Sequence, residues 1–370
     1  MNRMISFSKA HPSAAKVLPT AMYICTGLAI LLASGPWSIT AAGWQVYYGP
    51  VVWTIGMLAI AILLIKKAAR LDLKPLHQQH EGTKSLALRI AGYFCIILII
   101  RQLMIWQFYN PWEKLPIVFL VILQVMLVEG TRLTDFGLKD WNARNIGLAF
   151  IIAATEFVLT TTCIIIIYII TFGPDVIYHM YISWTSQLYW ISFPYQFLAV
   201  GFAEELFFRG YIYTKLRVHF SRTRRDKESF VLAMAITNIL FGFFHVPWYV
   251  GSDFSFDVIG CIQRVIVTGA MGVCFSYIYE KSGSLAAPML VHGFSNSIQP
   301  LVAFFTPLIY PSDWSVAFFE WRFVLAGLVM LPVFILITRF YASHALTKRE
   351  PTPWMLAQEE SAGLDAARKG

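Results

Sequence analysis

Long apolar runs alternate with short polar connections along the chain. A helix needs about 20 apolar residues to cross a bilayer, within a range of about 17–25. The runs 17–36, 48–65, 88–108, 115–129, 146–171, 187–212, 230–250, 257–279, 285–307 and 322–339 meet or approach that length and predict about ten spans. The fourth is short, and Pro288 and Pro300 interrupt the ninth. Turn chemistry fits the same map: Gly173-Pro174-Asp175 follows the fifth run, and Ser282-Gly283-Ser284 leads into the ninth. Thr134-Asp135-Phe136-Gly137-Leu138 is expected to form a short interfacial piece before the fifth. The fold class expected is all-α, a polytopic membrane helix bundle.

Composition agrees. Apolar residues make up 57% of the 370 and charged ones 14%, with mean hydropathy +0.60. Soluble domains have about 45–50% apolar and about 25% charged residues. The net charge of +8 raises the question of nucleic acid, and its distribution answers it. With the N-terminus placed in the cytoplasm, the inside segments collect clusters such as Lys66-Lys67-Arg70 and Arg222-Arg224-Arg225-Lys227. The outside connections hold Lys114 alone among lysines and arginines, beside Glu113, Asp175, Asp253, Asp257, Asp313 and Glu320. This is the positive-inside asymmetry. It predicts cytoplasmic termini and a bilayer whose cytoplasmic leaflet is anionic as the partner of the positive charge, with no nucleic acid. The five cysteines, Cys25, Cys95, Cys163, Cys261 and Cys274, lie in apolar runs without CxxC spacing and read as small hydrophobes.

Against this background the ionisable residues inside the spans stand out, because each costs roughly 2.5–3.5 kcal/mol at mid-membrane on insertion scales. The sixth run carries Glu204, Glu205 and Arg209; the seventh, Asn238 and His245; the ninth, His292 and Asn296. Arg101 and Glu156 lie deep in the third and fifth runs and could pair by charge complementarity, whereas Arg264 and Arg322 sit near helix ends where they can snorkel. Taken alone, His245 reads as a core histidine bonded to a carbonyl, and His292 with Asn296, spaced i, i+4, as an interhelical polar contact.

Together they supply what hydrolysis needs: a carboxylate to accept a proton from water, imidazoles to share or return it, and N–H donors for an oxyanion. Adjacent glutamates project about 100° apart on a helix, so Glu204 and Glu205 take different roles. Glu205 and Arg209, at i, i+4, can pair along the helix, which leaves Glu204 as the base. For Glu204 to reach the depth of His245, the sixth helix must continue to about His219, past its apolar limit.

Glu204-Glu205-x-x-x-Arg209, Phe241-x-x-x-His245 and His292-x-x-x-Asn296, in this order on three helices, resemble the motifs of the CAAX-protease and bacteriocin-processing (Abi) family of intramembrane proteases. The flanks Leu206-Phe207-Phe208-Arg209-Gly210 and Gly283-Ser284-Leu285 with Pro288 are similar too. The resemblance covers about residues 190–305. It implies a peptide-bond hydrolase with a chamber open to the cytoplasm, Glu204 and His245 activating water, and His292 with Asn296 forming the oxyanion hole. Glu205 and Arg209 then serve as support, and spans six, seven and nine are the catalytic helices.

The organisation expected is N-terminal spans with a cytoplasmic lead over 1–186, a catalytic core over 187–307, a last span within 308–349 and a poorly ordered cytoplasmic tail over 350–370. The expected setting is a bacterial plasma membrane, with a membrane-anchored protein or peptide as substrate. No metal is expected; a zinc ion at Glu204, His245 and His292 is the alternative, disfavoured because no HExxH pair is present and Asn296 would be idle. A non-catalytic membrane scaffold binding partners in the same groove is the main rival function. A transporter with a carboxylate–histidine relay is another, without the inverted repeats that many such folds show.

Overall fold

The computed structural model describes residues 2–32, 38–41, 44–68, 71, 73–139, 143–174, 180–182, 195–298, 302–304, 332–341 and 351–369. Helices dominate these residues. α1 (Asn2–Ala10) and α2 (Pro12–Leu32) precede a small antiparallel ladder, β1 (Ser38–Ala41) with β2 (Trp44–Tyr47). Then come α3 (Tyr48–Ala68), α4 (Thr83–Phe108) and α5 (Lys114–Leu123), which widens into a π turn over Gln124–Glu129. α6 (Ala143–Phe172) is followed by the strand β3 (Met180–Ile182).

The motif glutamates sit on one continuous helical run from 195 to 221. It comprises a π turn (Tyr195–Val200), α7 (Gly201–Glu205), a second π segment (Leu206–Tyr213) and α8 (Thr214–Ser221). The run continues past His219, as the depth of His245 requires. After it come α9 (Asp226–Phe243) with a 3-10 extension (Val246–Tyr249), α10 (Val258–Ser282) and α11 (Ala286–Ile298). Next are the strand β4 (Val302–Phe304), paired antiparallel with β3, α12 (Pro332–Tyr341) and α13 (Pro353–Lys369).

Among the described residues, five helical stretches are long and apolar enough to cross a membrane: α2, α3, α4, α9 with its extension, and α10. Runs four and five also fall on helices, run six is helical over its described residues 195–212, run nine is helical over 286–298 and then forms β4, and run ten is helical over its described residues 332–339; Arg322 lies outside the described residues. Pro288 does not break α11. It stands in the first turn, where a missing N–H costs nothing.

Several expectations need correction. The all-α fold class is not among them: helices dominate the described residues, and the two ladders span only four and three residue pairs. Arg101 does not meet Glu156: its Nη1 donates to Glu113 at 2.8 Å, and Glu156 accepts from Ser295 Oγ at 2.6 Å. Glu113 and Lys114 are not outside-loop charges but are buried at the start of α5. The tail is not loose. α13 buries Trp354 and Ala357, one turn apart, with the Trp354 ring between Tyr213 and Tyr279 at 6.2 and 5.9 Å. An aromatic that drives itself into a cleft orders the helix that carries it.

A single apolar cluster runs from Tyr23 on α2 to Ala357 on α13. The N-terminal helices and the motif helices therefore share one core. Gly201 sets a close backbone approach within it. A Cβ there would stand 2.7 Å from the Met289 carbonyl oxygen and 3.0 Å from Gly293 Cα. This glycine contact lets α7 and α11 touch backbone to backbone, which brings Glu204 and Glu205 within reach of His292.

Candidate active site

Glu205 is the hub. Its Oε1 accepts from Arg209 Nη1 at 3.0 Å and from His292 Nδ1 at 2.8 Å. The expected i, i+4 pair is thus formed, and it reaches a second helix. Arg209 is fixed in turn by Asn238 Oδ1 at 3.1 Å and the Gly272 carbonyl at 2.8 Å, and its guanidinium lies 4.4 Å from the Phe241 ring centroid. Gly272 is required for that geometry: a Cβ would stand 2.9 Å from Arg209 Nη2 and 2.5 Å from Asn238 Oδ1. The π segment shifts the register of the helix here, and Thr214 Oγ1 donates to the Arg209 carbonyl at 3.0 Å. Such wide turns recur at functional sites.

Glu204 faces elsewhere, as adjacent helical positions must. Its Oε1 accepts from Lys114 Nζ. Its Oε2 accepts no hydrogen bond among the described residues and lies 3.8 Å from His292 Nε2. Because Nδ1–H of His292 is given to Glu205, the Nε2 edge is the one turned toward Glu204. The imidazole is also clamped by stacking on Phe275, centroids 4.8 Å apart and planes 15° apart.

His245 closes the far end of α9. Its Nδ1 donates to the Phe241 carbonyl at 2.9 Å, which leaves Nε2 with its lone pair available. The carbonyl bond expected of a core histidine is therefore present, and it fixes the tautomer a base would need. The ring meets Phe241 and Phe244 edge-on, at 5.1 and 5.7 Å, and Phe241 also meets His292 at 5.8 Å. Asn296 lies one turn beyond His292 on α11 and is half-buried; among the described residues it makes no hydrogen bond to the other five.

The structure thus joins Glu204, Glu205, Arg209 and His292 by direct contacts, brings His245 to them through a shared aromatic wall, and leaves Asn296 adjacent. Glu204, Glu205, Arg209, His245 and His292 are all buried, the most exposed being His245 at 8%. A lone carboxylate oxygen beside an oriented imidazole, both kept from bulk water, is an arrangement suited to deprotonating one bound water.

Residues 186–298 match the family described as type II CAAX prenyl endopeptidase Rce1-like. Over that segment the chain is similar to that family. No curated protein and no solved structure matches the chain. The Rce1-like segment contains all six motif residues and agrees with the resemblance drawn from them. It does not contain Lys114, which sequence reasoning placed in an outside loop. The available signal was position: Trp112-Glu113-Lys114 adjoins the wholly apolar stretch Leu115–Leu123, and a charge so placed is either in the headgroups or paired inside.

Proposed function

We propose that this protein is an intramembrane endopeptidase that hydrolyses a peptide bond of a membrane-associated protein or peptide with glutamate- and histidine-activated water. The observation that carries the reading is the division of labour between the two glutamates. Oε1 of Glu205 is given to both Arg209 and His292, while Glu204 is the one whose Oε2, without a hydrogen bond among the described residues, stands 3.8 Å from His292 Nε2.

In this mechanism Glu204 Oε2 takes a proton from water as the oxygen attacks the scissile carbonyl. His245, with Nδ1 committed to the Phe241 carbonyl, shares in that deprotonation through Nε2 and helps return the proton to the leaving amine. Glu205 on Nδ1 supports positive charge on His292, so that an Nε2–H, with the Asn296 amide, can face the oxyanion. The catalytic helices are the sixth, seventh and ninth of about ten spans, within the proposed core 187–307. The basic connections and both termini lie in the cytoplasm, and substrate reaches the site from that side. Glu204 is 11 residues before Lys215, about 17 Å along a helix and so near mid-bilayer.

The mechanism uses no metal. The Lys114 ammonium on Oε1 already supplies the positive charge that a dication at Glu204, His245 and His292 would bring, and such a site would leave Asn296 without a role.

The test is cleavage of a quenched-fluorescent CAAX peptide, farnesylated or not, by the purified protein in proteoliposomes. Wild type is expected to cleave the farnesylated peptide and Glu204→Gln to be inert while still inserting. Full activity in Glu204→Gln sinks the mechanism. A wild type inert on both peptides, whose cellular phenotype survives Glu204→Gln but not deletion, establishes the scaffold reading instead.

A further inference from the structure

The proposed base is not held by the Rce1-like segment alone. Lys114 belongs to α5, 72 residues before that segment begins, yet its ammonium makes the hydrogen bond that Glu204 Oε1 accepts. The ammonium is built in, not incidental. It is 1% exposed, stands 3.4 Å from Glu113 Oε1 and lies 4.4 Å from the centroid of the Phe244 ring. Arg101 from α4 reaches the same Glu113 oxygen at 2.8 Å and the same Phe244 ring at 4.0 Å. The turn that delivers Lys114 is tied to the motif helix: Tyr195 OH donates to the Pro111 carbonyl at 2.7 Å, and the Trp112 and Tyr195 rings are 4.7 Å apart.

Cations and carboxylates consequently alternate through the core in the order Arg101, Glu113, Lys114, Glu204, then His292, Glu205 and Arg209. Each interior carboxylate is held by a neighbour on one oxygen. Glu113, Glu204 and Glu205 all leave Oε2 without a hydrogen bond. At Glu204 that choice matters, because Oε2 is the oxygen turned to His292. An ammonium is a point donor and can occupy one oxygen of a carboxylate while leaving the other clear; Arg101 and Arg209 also reach their glutamates on Oε1 alone, but a guanidinium placed at position 114 would carry a second N–H to spend on the free Oε2 of Glu204.

We infer that Lys114, supplied by the N-terminal half of the chain, is a positioning residue for the reaction: it anchors Oε1 of Glu204 so that Oε2 is presented to water beside His292. The inference rests on the endopeptidase reading above. It also gives the N-terminal helices a role in the chemistry beyond forming a bundle.

The experiment compares wild type, Glu204→Gln, Lys114→Met and Lys114→Arg in proteoliposomes on the farnesylated quenched peptide, with kcat and KM expressed per folded molecule. Lys114→Met is expected to lower kcat at least about a hundredfold with KM within about threefold, since the base loses its orientation but the substrate groove is untouched. Lys114→Arg is expected to lower kcat at least about tenfold despite keeping charge and fold, because its fork covers Oε2. A merely charge-balancing lysine predicts wild-type kcat for Lys114→Arg, and that result overturns the inference, as does wild-type kcat for Lys114→Met. Should Lys114→Met fail to accumulate, Lys114→Arg decides alone. If Glu204→Gln is active or wild type is inert, the endopeptidase reading fails and takes the inference with it. If Glu204→Gln is dead while either Lys114 variant turns over normally, only the inference fails.

Discussion

Two buried ionic clusters in this bundle are made of the same residue types and are satisfied very differently. Around Glu129 every carboxylate oxygen is occupied. Oε1 accepts from Arg89 at 2.7 Å, Tyr211 at 2.8 Å and Gln124 at 3.2 Å, and Oε2 accepts from Lys215 at 3.0 Å. Around Glu204 one oxygen is anchored by Lys114 and the other has no partner. A buried carboxylate with a full set of donors is held to fix a structure. One left half-satisfied costs the fold on the order of 1–3 kcal/mol and is tolerated where its free oxygen has a use. Burial and charge alone therefore do not mark a site; a missing hydrogen bond, which Glu113 and Glu205 share, marks one where the free oxygen also faces an imidazole, as Glu204 Oε2 faces His292 Nε2 at 3.8 Å.

The sharpest way to break the comparison is to neutralise each carboxylate. Glu204→Gln is expected to reduce cleavage by roughly 10²–10⁴-fold, the usual contribution of a general base, with little change in thermal unfolding in detergent. Glu129→Gln should do the reverse. Removing one member of a buried ion-pair cluster costs about 3–5 kcal/mol, so its unfolding temperature should fall clearly while the folded fraction keeps wild-type kcat. If both variants lose activity and stability in parallel, the two clusters are not functionally distinct.

A smaller effect is expected at the link between the glutamates. Arg209→Lys keeps a cation beside Glu205 but cannot span Glu205, Asn238 Oδ1 and the Gly272 carbonyl together. Loss of one or two charge-assisted hydrogen bonds, about 1.5–3 kcal/mol each, predicts a kcat loss of about 10–100-fold carried through a looser His292. The measurement is kcat alongside the unfolding temperature; an unchanged kcat would show that Glu205 holds His292 without Arg209.

Metal removal is expected to do less still. Incubation with 1,10-phenanthroline or EDTA should leave the rate within about twofold, because the Lys114 ammonium already supplies the positive charge beside Glu204. Inactivation reversed by added zinc would overturn the metal-free mechanism.

How much of this was legible in the sequence follows from the range over which each pattern acts. The apolar runs located the helices because bilayer length and hydrogen-bond closure impose a local period. The Glu205–Arg209 pair was legible for the same reason, since i, i+4 is a property of one helix. The contacts of Arg101 and Glu156 were not, because charge complementarity identifies no partner across helices whose packing is unknown. Lys114 was misplaced by the very rule that oriented the membrane: a lone lysine at the mouth of a span counts as a loop charge until the carboxylate that buries it is found 90 residues later. The docked tail was missed because its polar composition outweighed Trp354, the one residue that decides its place.

Glu156 tests how far the cluster extends. It is a second carboxylate within the helices, on α6, and it accepts from Ser295 Oγ at 2.6 Å, one turn past His292 on α11. Ser295 Oγ also lies 2.8 Å from the Val291 carbonyl, an alternative acceptor on its own helix. Loss of the cross-helix bond can therefore be made good locally, at a net cost of about 1 kcal/mol or less. Glu156→Gln should lower kcat by no more than about fivefold, and Ser295→Ala should reproduce the effect without adding to it in the double variant. A loss approaching that of Glu204→Gln would mean that Glu156 takes part in the proton transfer itself, and that the half-satisfied cluster extends across α6 as well as α5.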